Sequence, residues 1–356
     1  MSLLHADIPS GFPGLYGTTA SLMLNGIYAE TDSFALVEDP DPTVAGNVCR
    51  FQASASFDGL LRLILPATNA TVGMANRTWL ANIPNSTGRQ PMIHQFRNAS
   101  NAALTTITVN PSGAIEARRG GEGGTLLGTS DPNALVANAW QHVETKVLFS
   151  STVGTVEVRV EGVPVLELTG VNTSSSDLEC GIVAWTNPGD GTGGITTWYA
   201  KDLLVWDGAG SVDNDFFGSV SIYALLTDAD ISLNWTPSTG STGWDLLDES
   251  PPNDADYISA PDPAPAAAVM SLTNLPADVT SVRGLISFVR AAKTDGGDGD
   301  LQVSLTSGAN TDAGADRPMT TAFTYWKDVS EVNPGTGVFW TPTEVDAMDI
   351  EFDRTV

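Results

Sequence analysis

The chain has 356 residues, with 16 Lys plus Arg against 42 Asp plus Glu, giving a formal net charge of −26. A field of that sign repels phosphate backbones and anionic lipid, so nucleic acid and membrane surfaces are excluded as expected partners. Hydrophobic residues make up 42% of the chain in short runs, none long enough to cross a bilayer, and 35 Gly and 21 Pro punctuate it, which points to many short strands in an all-β protein.

Residues 1–7, MSLLHAD, have neither the basic region nor the apolar core of a secretory signal, so the expected site of folding is a cytosol. Residues 1–45 are turn-rich up to FALVEDPDPTVAGNVCRFQ, which reads as a strand, a Pro-fixed corner and a second strand over 47–52. GLLRLILPA and QPMIHQFRN are further strands, and in LTTITVNPSGAIEARRG the run Asn110-Pro111-Ser112-Gly113 predicts a turn between two alternating segments. The glycines of GGEGG, 120–124, lack a following Lys-Ser/Thr and a helix, so this stretch is a connection and not a phosphate loop.

The clearest rhythm is AWQHVETKVLFSSTVGTVEVRVEGVPVLELTG, 139–170. Val143, Thr145, Val147 and Phe149 alternate with Glu144, Lys146 and Leu148, and Val156, Val158 and Val160 alternate with Glu157, Arg159 and Glu161. Period two means half-buried strands, and the Gly-containing breaks make the piece an antiparallel meander. ECGIVAWT and TTWYAKDLLVWDGAG follow, giving about a dozen strands before residue 215 and a two-sheet jelly roll as the economical architecture.

Residues 216–266 change character, being rich in Pro, Asp, Ser and Gly with spaced aromatics. Trp235, Trp244 and Tyr257 are expected to pin this connecting segment to a packed surface, and Pro261, Pro263 and Pro265 to mark a semi-rigid linker. The expected organisation is therefore a lectin-like sandwich over 1–215, a connecting segment over 216–266, and a small C-terminal β-domain over 267–356. In the last part LQVSLTS and MTTAFTYW alternate, as do Val282, Gly284, Ile286 and Phe288 against Ser281, Arg283 and Ser287. TDGGDGD, 294–300, reads as a hairpin turn. Thr341-Pro342-Thr343-Glu344 is a capping box that predicts one short helix over 341–348, before a final strand MDIEFD.

Cys49 and Cys180 sit in apolar runs and are expected as buried free thiols, with a disulfide between neighbouring strands as the alternative. Asn-x-Ser/Thr triplets begin at Asn69, Asn76, Asn85, Asn98, Asn172 and Asn234, and without secretion they reflect composition alone. The three histidines, His5, His94 and His142, have no second His or Cys at ligand spacing, so a zinc site or a His-based triad is unsupported. His142 reads as the cap of a sheet edge, and Glu144, Glu157 and Glu161 as solvated surface. The Asp-rich loops 187–194, 207–215 and 295–300 supply hard oxygens, but Asp295, Asp298 and Asp300 do not follow the EF-hand spacing; they read as structural turns, with calcium the alternative and no cofactor expected. Trp140, Trp185, Trp198, Tyr199 and Trp206 are candidates either for core packing or for a sugar-stacking platform, and Trp185, Trp198 and Tyr199 are the stacking residues chosen.

Two segments carry a resemblance. YAKDLLVWDGAGSVDNDFFGSVSIYALLTDAD, 199–230, and GADRPMTTAFTYWKDVSEVNPGTGVFWTPTEVDAM, 314–348, resemble virion structural proteins of tailed bacteriophages, and the layout of 139–170 is similar to concanavalin-like or laminin-G-like domains. The resemblance implies a jelly roll displayed on a virion, made in the host cytoplasm, with carbohydrate contact and no catalytic residue to carry over. The expected function is a non-enzymatic tail fibre or appendage component that meets host surface glycans, homo-oligomeric and docked to other virion proteins. The alternatives are a head decoration or capsid-fibre protein and, from another class, a polysaccharide depolymerase.

Overall fold

The computed structural model describes residues 3–7, 30–32, 34–42, 47–52, 59–85, 90–188, 197–249, 252–261 and 266–355. The chain divides into two compact units, Met1–Ile222 and Tyr223–Val356.

In chain order the first unit contains β1 (Leu3–Asp7), β2 (Glu30–Asp32), β3 (Phe34–Glu38), β4 (Asn47–Phe51), β5 (Gly59–Asn69), β6 (Thr71–Leu80), β7 (Met92–Arg97) and β8 (Ala103–Val109). Then come β9 (Ile115–Arg119), β10 (Thr125–Thr129), β11 (Trp140–Leu148), β12 (Gly154–Val160), β13 (Val163–Val171), β14 (Cys180–Asn187) and β15 (Trp198–Asp207). They form two antiparallel sheets, an eight-stranded one in the order β13-β12-β11-β6-β15-β4-β3 with β1 also on β15, and a seven-stranded one in the order β10-β9-β8-β7-β14-β5-β2. One apolar core joins them: Val72 and Met74 of β6, Val143 and Val147 of β11 and Val156 and Val158 of β12 meet Ile93 and Phe96 of β7, Ile107 of β8 and Val183 of β14. The all-β sandwich is thus present, and 140–171 is an antiparallel meander, with Val143 opposite Val160 and Val147 opposite Val156. Cys49 and Cys180 are both buried free thiols, one on each sheet.

Several expectations change. TVGMANRTWL forms β6, at the middle of the larger sheet; its Gly73, Asn76 and Arg77 interrupt the apolar alternation on which a strand is recognised. Directly after the glycines of 120–124 lies β10, a strand that pairs with β9. The boundary expected near 266 lies at 222/223 instead. The reason is strand pairing: β16 (Thr227–Ser232) aligns along β19 (Ala268–Leu272), so most of the 216–266 segment belongs to the second unit. Trp235 and Trp244 do pack against that unit's core, while Tyr257 is 44% exposed.

Around β16 and β19 the second unit places β17 (Thr236–Pro237), β18 (Ile258–Ser259), β20 (Leu285–Ala291), β21 (Asp300–Ser307), β22 (Asn310–Ala313), β23 (Arg317–Pro318), β24 (Thr324–Ser330), helix α1 (Pro342–Asp346) and β25 (Met348–Arg354). Its main sheet has the order β16-β19-β25-β21-β22, with β23 on β21; β17-β18 and β20-β24 are separate pairs. The 294–300 loop is therefore no hairpin turn, because β20 and β21, which it joins, lie in different sheets. The capping box of α1 is complete: Thr341 Oγ1 accepts from the Glu344 amide and Glu344 accepts from the Thr341 amide. Met270, Val303, Trp340, Val345 and Phe352 form the core, and the Trp340 indole donates to Ser330 Oγ at 2.9 Å.

Candidate functional site on the outer face of the large sheet

Alternation assigns each side chain of the eight-stranded sheet to a face. On β6 Val72, Met74, Asn76, Thr78 and Leu80 point to the partner sheet, leaving Gly73, Ala75, Arg77 and Trp79 outside; on β11 Trp140, His142, Glu144 and Lys146 are outside. On β15 a bulge between Lys201 and Leu204 resets the parity, so Tyr199, Lys201, Leu204 and Trp206 all lie outside. Asp202 sits in that bulge with φ 55°, and its carboxylate accepts from Arg77 Nε at 3.2 Å.

The register sets these side chains in rows. Trp140, Trp79, Tyr199 and Arg50 stand opposite one another across β11, β6, β15 and β4; the next row is His142, Arg77 and Lys201, and the next is Glu144, Ala75 and Leu204. The Trp79 and Trp140 rings meet at 5.8 Å and 58°. Trp140 is held from two sides, its indole N–H donating to Asp39 Oδ1 at 2.9 Å and the Lys201 ammonium lying 4.2 Å over its ring. Lys201 also pairs with Asp39 Oδ2 at 2.7 Å, so one carboxylate ties the aromatic row to the cationic row. Trp79, Trp140 and Tyr199 are half-buried.

Next to these rows runs a strap, residues 208–222, with no regular secondary structure. Glu144 Oε1 accepts from the Phe217 and Gly218 amides at 2.8 and 3.1 Å, Arg77 Nη2 donates to Ser219 Oγ at 3.1 Å, and the Ile222 amide donates to Asp202 Oδ1 at 3.2 Å. Phe216 and Phe217 close edge-on against the buried Trp206, and the Arg159 guanidinium lies 3.9 Å from the Phe216 ring centre. A cleft of about 280 Å³ lined by Lys146, Thr155, Glu157, Glu167 and Asp215 lies at the strap's near end.

The sheet's middle is electrostatically unusual. Burial pushes Glu144 up to about 7, against the two amides and the Arg159 charge that favour its ionised form. Burial, and then the neighbouring Arg77 charge, hold His142 down at about 4, so its imidazole is neutral at pH 7. Both His142 ring nitrogens, Glu144 Oε2 and Trp206 Nε1 are buried and have no hydrogen-bond partner. Because the Glu144 carboxyl titrates higher when folded than its ordinary 4.5, its contribution is intact below that pH and is lost as pH rises through about 7. Glu144→Gln keeps an acceptor for the two amides and removes the buried charge. At pH 8 it is expected to raise stability by about 2 kcal/mol, and near pH 4 to change it little; urea midpoints at the two pH values decide.

The residues chosen from sequence separate. Trp185 and Trp198 are 0% exposed and belong to the core, Trp198 stacked on Phe51 at 4.3 Å; neither presents a ring face to a ligand. Tyr199 does lie on the outer face, beside Trp79. His142 is no edge cap, because β11 lies between β12 and β6, and Glu144 is fully buried beneath the strap's amides and is not solvated surface. His94 is buried between the sheets, where burial and the His142 charge hold it at about 3. The side chain of His5 lies outside the described residues, as do residues 189–194 of the first Asp-rich loop. Asp207 Oδ1 and Asp295 Oδ1 each accept a backbone amide of their own turn, and among the described residues no three His, Cys, Asp or Glu converge on a metal position. Trp79, Arg77, Lys201 and Asp202 were missed; only the pairing of β6 with β11 and β15 reveals them.

No family model and no curated protein matches the chain. Among solved structures it is similar to an endo-β-1,4-glucuronan lyase from the fungus Trichoderma reesei, at 14% identity over 49% of this chain and 87% of that one, with a TM-score of 0.37. It is also similar to the carbohydrate-binding module CBM66 from Bacillus subtilis, at 10% identity over 51% and 94% with a TM-score of 0.31. A carbohydrate esterase from the Shiga toxin-encoding bacteriophage phi24B is 12% identical over 57% and 99%, with a TM-score of 0.36. By name these three are a polysaccharide lyase, a carbohydrate-binding module and a carbohydrate esterase, the last from a phage.

Proposed function

We propose that the first unit is a non-enzymatic glycan-binding sandwich of a phage virion protein, displayed on a tail fibre or similar appendage. The observation that carries the glycan reading is the cross-strand row Trp140–Trp79–Tyr199 set against the half-buried cations Arg77 and Lys201 of the next row. Flat aromatic rings take the apolar faces of sugar rings, and an adjacent polar row takes their hydroxyls. Display on a virion rests on the resemblance of residues 199–230 and 314–348 to tailed-phage structural proteins, and avidity from repeated copies suits weak individual sites.

Testing begins with the full chain on an array of bacterial surface glycans, followed by Trp79→Ala and Tyr199→Ala on any glycan retained. Each variant is expected to lose affinity about 10- to 30-fold, with an unchanged unfolding midpoint. Silence across the array, or full affinity in both variants, removes the reading. Immunogold labelling of negatively stained particles then separates tail from head decoration. The proximity of His142 and Glu144 favours one other reading, a polysaccharide depolymerase, which predicts shortened saccharide products that vanish in His142→Ala.

A further inference from the structure

Resting on that glycan reading, we propose that the ligand face continues beneath the strap as a covered subsite, and that residues 216–222 lift to let a hydroxyl-bearing ring reach His142 and Glu144. Three observations converge. Residues 216–222, the part of the strap beyond its Gly208 and Lys146 attachments, bond to the side chains of Glu144, Arg77 and Asp202, pack Phe216 and Phe217 on Trp206, and belong to no strand of the sheet. Such attachments open locally at far lower cost than a sheet ladder. Ser219 and Ser221 within it are exposed.

What lies beneath is polar and unsatisfied. A segment that serves only to complete a core leaves apolar groups under it, yet here a neutral imidazole with two free nitrogens, one oxygen of a buried carboxyl and an indole N–H are all left without partners. The strap is bonded to groups on either side of His142: Glu144 on its own strand and Arg77 directly opposite. The open groups of His142 and Glu144, two residues apart on β11, offer donors and acceptors side by side, with the Trp206 indole further along the same face opposite Gly73, which fits a sugar's hydroxyls and fits neither an anion nor an apolar chain. The place is also continuous with the aromatic row, since His142 follows Trp140 on the same face of β11 and Arg77 precedes Trp79 on β6.

Gly218 supplies the means of testing this. Its φ is +76° and a Cβ there would meet nothing within 4 Å, so alanine penalises the closed strap through the backbone alone. Diethylpyrocarbonate acylates unprotonated, accessible imidazoles, and mass spectrometry of the labelled full chain assigns each histidine separately. The expected result at pH 7 is slow labelling of His142 with none of His94, and about a tenfold faster rate at His142 in Gly218→Ala, equivalent to about 1.4 kcal/mol. Equal labelling of His94 and His142, or no response to Gly218→Ala, overturns the strap as a cover. A saccharide selected on the array is expected to protect His142 in proportion to its occupancy; unchanged labelling with saccharide bound overturns the covered subsite while leaving the outer aromatic row intact. Failure of the glycan reading shows separately, as absence of binding on the array.

Discussion

Asn76→Leu is expected to cost the first unit about 3–5 kcal/mol, the largest effect of any single polar substitution in its core. Asn76 is 0% exposed and joins three elements between the sheets. Its Oδ1 accepts from Trp185 Nε1 at 3.0 Å and faces His94 Nε2 at 2.8 Å, while its Nδ2 donates to Thr78 Oγ1 at 2.7 Å. Because an indole nitrogen can only donate, the amide must present its oxygen to Trp185, and the same oxygen then requires the proton of His94 to reside on Nε2. His94 Nδ1 is left as the acceptor for the Thr145 hydroxyl at 2.8 Å. Leucine is near the right size but leaves an indole N–H and an imidazole N–H buried without acceptors, each worth about 1–3 kcal/mol. Thr78→Val removes only the last member of the chain and is expected to cost about 1 kcal/mol. Urea unfolding followed by tryptophan fluorescence measures both; a loss below about 1 kcal/mol for Asn76→Leu contradicts the network. Since His94 is held neutral down to about 3, against 6.5 for a free imidazole, the unfolded chain binds the extra proton first, and the stability this neutral core histidine contributes falls as pH drops from 6.5 toward 3.

How much of this was legible before the structure follows from where period two survives. It survives on β12, whose positions alternate buried and half-buried, and the meander from 140 to 171 could be read directly. On β6 it fails, since a polar Asn76 and Thr78 face inward to build the network and a glycine and an arginine face outward. That strand is the spine of the candidate site, so losing it concealed Trp79 and Arg77. Tryptophan identity alone does not announce a face: Trp185 and Trp198 are core while Trp140 is not, and on β15 the bulge at Asp202 puts Trp198 and Trp206, an even number of residues apart, on opposite faces. The prolines near 261–265 have the composition of a linker, yet β16 reaches past them to pair with β19. Pairing partners distant in sequence decided that boundary, and local composition does not record them.

Gly73→Ala is expected to lower stability by about 3 kcal/mol and to loosen the strap at the same time. Gly73 stands opposite Trp206 on the outer face, and the indole lies across its Cα: a Cβ there would come within 2.0 Å of Trp206 Cε2 and 2.2 Å of Cζ2. No rotation of a methyl relieves such an overlap, so the ring itself must move. It is fully buried and clasped by Phe216 at 6.3 Å and Phe217 at 5.1 Å between ring centres, so its displacement unseats the strap's two aromatic anchors. The substitution is therefore expected to raise His142 labelling at least as much as Gly218→Ala does, through a different contact. A double-mutant cycle isolates the cause: in a Trp206→Ala background the methyl has room, and the penalty of Gly73→Ala is expected to shrink by about 2 kcal/mol. Full additivity would mean that the indole does not lie on Gly73. Stability loss without faster His142 labelling would mean that the strap is held by Glu144, Arg77 and Asp202 alone, with the two phenylalanines contributing only to the cover over Trp206.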